Sequence, residues 1–437
     1  MRESLPDGLA QLLDEMNRDL AGEPRLRELF GRTFTDTWRF AMRPNGPGKV
    51  FVSTGDIPAM WLRDSTAQVR PYLLAAADPE VAEALRGVLR SQVRYVLIDP
   101  YANAFNPEPS GAGGNGRDVP KPGPWVWERK YEVDSLAAVL QLAYGIWRAT
   151  GALDHVDAEF RRAAHDIVEL WTREQDHEDR SQYTFRRLGG PFSSDSLPRG
   201  GRGRRVAVTG MTWSGFRPSD DPCHFGYLVP ANVLAAVALH GLAELIGAAG
   251  DPVLAGRAAA LSGSIAAGVR RYGVLDAGAG AVHGYEVDGR CGRVLMDDAN
   301  APSLLSLPYL GWCAPDDPLY LRTRALVLSD ANPYYYRGRA ASGIGSPHTP
   351  RRHIWPLALA MQGLTSVDPG ERARMAQSLA ATDGGKGVMH ESFHADDPSI
   401  YTREWFGWAN ALFSELLLTL TGRPLAPLLP RLDTTSA

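Results

Sequence analysis

Six times along this chain, a segment crowded with polar and aromatic residues runs into, or opens, an apolar stretch with helical spacing. The segments are GDIPAMWLRDS, VWERKYEVDS, FRPSDDPCHFGYLVPAN, LMDDANAPS, GIGSPHTPRRHIW and YTREWFGWAN. Their lead residues Asp64, Asp134, Asp220, Asp298, His348 and Glu404 stand 70, 86, 78, 50 and 56 residues apart. That is about the length of one helical hairpin with its loops. Six hairpins whose inner helices begin at one end predict an all-α (α/α)6 barrel, with the six polar segments gathered at one mouth. Short β elements are expected in the loops there, over 49–53, 183–186 and 284–287, each near a glycine turn. An open solenoid of helical pairs would require stronger internal similarity than these segments show.

Apolar spacing at i, i+3 and i+4 predicts helices over 7–22, 24–42, 64–76, 78–98, 134–150, 155–174, 230–248, 251–272, 300–312, 316–329, 351–365, 370–381 and 404–422. Asp64, Asp134 and Asp251 stand where helix N-caps belong. No shift of composition divides the chain, so residues 1–437 read as a single domain, with 424–437 a loosely ordered, proline-rich tail. The net charge of −4 over 437 residues gives no drive toward nucleic acid or an anionic membrane. No stretch approaches 18 uninterrupted apolar residues, and the first residues lack the features of a signal peptide, so a cytoplasmic location is expected. Three cysteines, Cys223, Cys291 and Cys313, are too few and scattered for a disulfide framework or a zinc site. Cys223 reads as a buried structural thiol.

Seven of the eleven tryptophans (Trp61, Trp125, Trp127, Trp213, Trp355, Trp405 and Trp408) fall in or beside the six segments. Flat rings next to carboxylates and arginines suit a sugar, whose C–H faces stack and whose hydroxyls take bidentate hydrogen bonds. The carboxylates expected at the mouth are Asp64, Glu128, Asp134, Asp220, Asp221, Asp297, Asp298 and Glu404. Glycoside hydrolysis needs a protonated acid and an ionised base or nucleophile. Crowding in Asp220–Asp221 can supply the acid, with Arg217 holding one of the pair ionised. Glu404, at a helix start, suits the base. The DD pairs lack the further acids a magnesium-diphosphate site needs, and no HExxH spacing appears, so no metal is expected.

The segments TGDIPAMWLRDS, NAFN, WVWERKYEVDSL, GMTWSGFRPSDDPCHFGYLVPAN, LMDDANAPSLLSLPYLGW, SGIGSPHTP and YTREWFGWANALFSELLL resemble glycoside hydrolase family 125, exo-acting α-1,6-mannosidases of bacteria and fungi. The resemblance runs from about Phe51 to about Leu418. It implies an (α/α)6 barrel, inverting hydrolysis without metal or other cofactor, and removal of single terminal mannose units from a mannose oligosaccharide or N-glycan fragment. By motif, the acid is Asp220 or Asp221, with Asp220 favoured, and the base is Glu404. Arg63, Asp64, Glu128, Asp298 and His348 would belong to the mannose-binding shell, beside Trp61, Asp134, Arg217 and Trp408 from the clusters above. Another exo-glycosidase, a sugar epimerase, or a sugar-binding barrel without catalysis are the alternatives.

Overall fold

A computed structural model describes residues 4–113, 116–189, 195–278 and 280–432. Twelve helices build the frame: α1 (Asp7–Asp19), α2 (Pro24–Asp36), α3 (Leu62–Val69), α4 (Pro79–Ile98), α5 (Val133–Thr150), α6 (Ala158–Glu174), α7 (Val229–Ala248), α8 (Pro252–Tyr272), α9 (Pro318–Val327), α10 (Pro356–Leu364), α11 (Pro369–Ala381) and α12 (Gly407–Leu420). Helices α3, α5 and α7 pack side by side, and α10 packs on α12, which closes back onto α3. Outside them, α4 packs on α5 and α6, α8 on α7, and α11 on α10 and α12. This is the expected (α/α)6 barrel.

The two layers begin differently. Outer helices α4, α6, α8, α9 and α11 each start on an aspartate whose carboxylate accepts a first-turn N–H: Asp78, Asp157, Asp251, Asp317 and Asp368. In four of them proline follows at the first helical position, where its missing N–H costs nothing. Inner helices α3, α5, α7, α10 and α12 have no side-chain cap; Trp61, Glu132, Leu228, Trp355 and Phe406 stand there instead. Their entry is fixed by extended backbone. Strand β1 (Met60–Trp61) runs into α3 and pairs with β2 (Ala104–Phe105), which pairs with β3 (Val126–Glu128). Strand β4 (Tyr227–Leu228) runs into α7 and pairs with β5 (Glu286–Val287), itself paired with β6 (Arg293–Val294). Strand β7 (His353–Ile354) precedes α10 and pairs with β8 (Ser392–His394), which forms a hairpin with β9 (Asp397–Thr402). These small sheets ring the mouth.

Several sequence expectations change. Of the three cap candidates only Asp251 is one; Asp64 and Asp134 lie inside the first turns of α3 and α5, one face of which is turned to the mouth. The segment 300–312 is a series of turns, not a helix. Its backbone is diverted by the buried Asp297, whose carboxylate accepts the N–H groups of Leu304 and Leu305 at 2.8 and 2.9 Å. The described part of the tail, 424–432, packs down: Leu425 is buried and Leu432 donates its N–H to Gly311 O at 3.0 Å. Residues 433–437 lie outside the described residues.

Helices α7 and α8 are long and apolar enough to cross a membrane by length and composition alone, but α7 is mostly buried as an inner wall and α8 packs one side against it from the outer layer. In α7, Leu239 is fully buried, and the helix is apolar all round as an inner wall requires. We predict that Leu239→Ala costs about 2–5 kcal/mol, whereas removing an outer-layer cap by Asp157→Ala costs about 0.5–2 kcal/mol. Urea denaturation of both variants checks the ranking.

Candidate active site

Five of the six lead-in segments line a cavity of about 240 Å³; the sixth, VWERKYEVDS, lies behind its wall. Trp61, Trp355, Phe406 and Trp408 supply aromatic walls, while Arg63, Asp64, Asp220, His348, Glu391 and Arg403 supply the polar ones. Arg63 and Trp408 separate it from a smaller void of about 40 Å³ in the barrel interior.

The loop carrying the two aspartates is drawn into a tight turn. The Arg217 N–H reaches Asp221 O at 2.8 Å, and the Asp220 N–H reaches Arg217 O at 2.9 Å. The turn requires Asp220 in the left-handed region, at φ 65°, a conformation costing an L-residue roughly 1–2 kcal/mol but tolerated best by Asn and Asp. This conformation separates the pair. Asp220 lines the cavity, where Asn103 Nδ2 donates to its Oδ1 at 2.8 Å. Asp221 turns to the rim and takes the Ser219 hydroxyl at 3.0 Å, with His348 Nδ1 at 3.4 Å. Although burial opposes it, the hydrogen bond and charge of Asp221 raise His348 to about 9; its side chain is 38% exposed, so solvent screens part of that attraction. Arg217 does not pair with either aspartate side chain. Its Nε donates to Glu286 at 2.6 Å, and Glu286 also accepts the N–H groups of His224 and Phe225, anchoring the loop. Cys223 in this loop is a buried free thiol, pushed well up by burial.

Beneath the cavity, Arg63 is the centre of a charge cluster. Its Nη1 donates to Glu132 and to Asp134 at 2.8 Å each, and Nη2 lies 3.2 Å from Asp64. All four side chains are buried. Asp64 lines the cavity, whereas Asp134 stands behind Arg63 and does not reach it. Burial raises the carboxyls of Asp64, Asp134 and, furthest, Glu132, against the pull of Arg63. Burial would raise Asp220 as well, but the Lys130 ammonium, a hydrogen bond with Glu132 and the Arg63 guanidinium outweigh it and hold Asp220 down.

On another wall, beside the β8–β9 hairpin, the carboxylate that lines the cavity is not the expected Glu404. Glu404 lies outside the cavity: its side chain is 58% exposed and its Oε2 binds Tyr401 Oη and Lys386 Nζ, both at 3.0 Å. The residue in the wall is Glu391, which is buried and ion-paired with Arg403 at 3.5 Å. The physical reason lies in the backbone ahead of the last helix, where Arg403 stands in the left-handed region at φ 40°. Helix α12 begins only at Gly407, so 403–406 is an approach to the helix rather than its first turn. Arg403 and Phe406 turn inward, while Glu404 and Trp405 turn away, the indole donating to Asp36 at 2.7 Å. Arg403 is further clamped on Asp56 Oδ1 and Thr54 O, at 2.6 and 2.9 Å. Gly55 in that loop sits at φ 57°, where a Cβ would meet Trp405 O at 2.5 Å. The TGD turn and the REWF approach therefore pack backbone to backbone.

Two expected shell residues support the cavity from behind. Asp298 is fully buried and holds Asn300 at 3.0 Å and Ser346 at 3.2 Å, placing Asn300 in the wall. Glu128 pairs with Arg187 at 3.0 Å and Lys130 at 3.5 Å. Of the seven clustered tryptophans, Trp61, Trp355 and Trp408 line the cavity. Trp213 is core, stacked on His177 at 3.7 Å, and Trp125 takes Arg94 over its ring at 4.0 Å. Trp127 packs beside Trp61. Among the described residues, no group of three or more His, Cys, Asp or Glu side chains is arranged to hold a metal ion. Sequence reading missed Asn103, Lys130, Glu132 and Glu391. A signal existed for two: in WERKYEVD the ionisable residues Glu128, Lys130, Glu132 and Asp134 recur every second position, the mark of extended chain with one charged face.

Comparison with known proteins follows this geometry. Residues 23–418 match the family model described as metal-independent α-mannosidase, GH125. The chain is 38% identical to the meiotically up-regulated gene 157 protein of Schizosaccharomyces pombe, over 97% of this chain and 86% of that protein. A Streptococcus pneumoniae metal-independent α-mannosidase, solved as a non-productive complex with α-1,6-mannobiose, is 46% identical with a TM-score of 0.93, covering 95% and 98% of the two chains. A bacterial glucoamylase solved with acarbose shares the fold alone, at 15% identity and a TM-score of 0.59 over 85% of this chain and 50% of that one.

Replacing the central cation tests the cluster. Arg63→Met leaves three buried carboxyls without their counter-charge, and breaking a buried pair in this way costs about 3–5 kcal/mol. The loss should appear in urea denaturation at pH 7 and shrink at lower pH, where the stranded carboxyls are protonated.

Proposed function

The chain belongs to glycoside hydrolase family GH125, the metal-independent α-mannosidases, and on that premise we propose that it is an inverting enzyme removing single α-1,6-linked mannose units from the non-reducing ends of mannose oligosaccharides. Asp220 is the general acid and Glu391 the general base. Asp220 gives its proton to the glycosidic oxygen as the C–O bond breaks. Glu391 takes a proton from the water that attacks C1 on the opposite face, so the α-linked sugar leaves as β-mannose.

The observation that carries this reading is the composition of one small cavity: beside Asp64 it holds two carboxylates from different elements, Asp220 on a strained turn and Glu391 beside a hairpin, with three tryptophans in the same wall. Arg403 stands 3.5 Å from Glu391 and gives a carboxylate there its ion-pair partner. Asp64 lines the cavity with its Oδ2 held 3.2 Å from Arg63 Nη2, which sets its carboxyl beside a bound sugar. Trp61, Trp355 and Trp408 give C–H faces their stacking surface. The α-1,6 preference rests on the pneumococcal relative, which was solved with α-1,6-mannobiose.

Two measurements test the assignment. Proton NMR during hydrolysis of α-1,6-mannobiose should show β-mannose first; α-mannose first overturns inversion. Glu391→Gln should lower kcat by roughly 10²–10⁴, the worth of a general base, while Glu404→Gln stays within about threefold. The reverse order would return the base to Glu404.

A further inference from the structure

The proposed acid has a buried neighbour that the hydrolytic scheme leaves unused. Glu132 is 1% exposed and stands at the start of α5, behind Asp220. A single amide binds both carboxyls: Asn103 Nδ2 lies 3.2 Å from Glu132 Oε1 and 2.8 Å from Asp220 Oδ1. The second oxygen of Glu132 accepts Arg63 Nη1 and the Ser135 hydroxyl, each at 2.8 Å. We propose that Glu132 and Asp220 hold one proton between them, and that Glu132 is the positioning residue that stores it until substrate binds. The proposal rests on the reading of Asp220 as the general acid.

The surroundings of the pair explain the arrangement. On its own element Glu132 meets Asp134 and Ser135; from α3 come Arg63 and Asp64; from the loops come Lys130, His348 and Asp221. Two carboxylates in hydrogen-bonding range cannot both ionise in a buried site, so one keeps its proton. In the free enzyme, burial with Asp220 and Asp134 nearby keeps that proton on Glu132. The Lys130 ammonium favours the charge on Asp220, while Arg63 draws on both carboxyls and is outweighed at Glu132 by burial.

Substrate reverses the order. A sugar in the cavity removes water from Asp220, the half-exposed partner, and brings a glycosidic oxygen to it. The proton crosses from Glu132 to Asp220, and the charge left on Glu132 is held by Arg63 and Ser135. Asp220 then passes the proton to the leaving oxygen, while Glu391 accepts one from the attacking water. After product leaves, Glu391 releases its proton to solvent and the pair regains one, which closes the balance. A single aspartate held low by Lys130 and Arg63 would be unprotonated at neutral pH. The store supplies what the turn itself lacks.

E132Q keeps an acceptor for Arg63 and offers its amide to Asp220, yet cannot supply a proton. We compare E132Q, D220N and wild type from pH 5 to 9 on two substrates, α-1,6-mannobiose and 2,4-dinitrophenyl α-mannoside, whose leaving group departs without protonation. Expected for E132Q is a loss of about tenfold or more in kcat on mannobiose at pH 7, within the 10²–10⁴ that acid catalysis supplies. Its alkaline limb should move to lower pH by about one unit or more, with the activated substrate changed less than about threefold. Equal losses on both substrates, or an unmoved alkaline limb, overturn the proposal. D220N separates the two readings: if it turns over mannobiose normally, Asp220 is not the acid and the functional reading fails with it. Should E132Q not fold, the infrared difference between wild type and D220N at pH 7 decides. A protonated-carboxyl band lost with Asp220 supports the shared proton, and a featureless difference overturns it.

Discussion

Everything at the mouth of this barrel depends on Arg63 lying between three buried carboxyls. Its 2.8 Å bonds reach from the first turn of α3 to Glu132 and Asp134 at the start of α5, so one guanidinium fixes the relative height of two inner helices. Buried ion clusters are poor evidence for stability, because desolvation consumes most of the Coulomb gain. Here the return is positional. A guanidinium presents a rigid planar fork, and the same plane lies 5.2 Å from the Trp408 ring on α12. Three consecutive staves of the wall therefore take their register from one side chain.

The asymmetry between the layers follows from this. Outer helices face solvent at both ends and satisfy their first N–H groups with aspartates, which is local and self-contained. An inner helix that spent a short side chain on its own cap would lose a position facing the mouth. Backbone pairing in the small sheets does the capping work at a distance and leaves Trp61, Glu132 and Trp355 free to serve the site. The charge cluster and the uncapped inner helices are two sides of one solution: polar side chains are directed across the barrel axis rather than back along their own helices.

Much of this was legible in the sequence. The spacing of the six lead-ins carried the barrel, because hairpin length is set by helix geometry and survives loop variation. Asp220, Asp64, Arg63, His348, Trp61 and Trp408 were found since each sits in a dense polar-aromatic segment and lines the cavity. What failed was direction. Arg217 was assigned to the aspartates beside it in sequence, yet its partner is Glu286, 69 residues away. Asp134 and Glu128 lie in the right segments, one layer too deep. The turns over 300–312 carry apolar spacing that reads as helix; the buried Asp297 binding two backbone amides is a tertiary fact that no local pattern announces.

The exchange of Glu404 for Glu391 shows which rule governs such segments. A carboxylate read as helical at 404 gains a dipole and a place at the mouth. The helix starts at Gly407, and in the approach to it Arg403, at φ 40°, and Phe406 face the cavity while Glu404 and Trp405 between them face away. Arg403 is held there by Asp56 and Thr54 O across the TGD turn and by Glu391 just ahead of the adjoining strand, whose N–H meets Arg403 O at 3.3 Å. With the arginine inward, the strand opposite can bring an acid to the cavity with its counter-charge already in place. The acid at 404 is left to solvent with Lys386 and Tyr401. Over 128–132, by contrast, Glu128, Lys130 and Glu132 do recur at every second position ahead of the helix, and Tyr131 between them turns into the core. In this barrel a lead-in's chemistry depends on where its inner helix begins, and misjudging that start by three residues puts Glu404 at the mouth in place of Arg403.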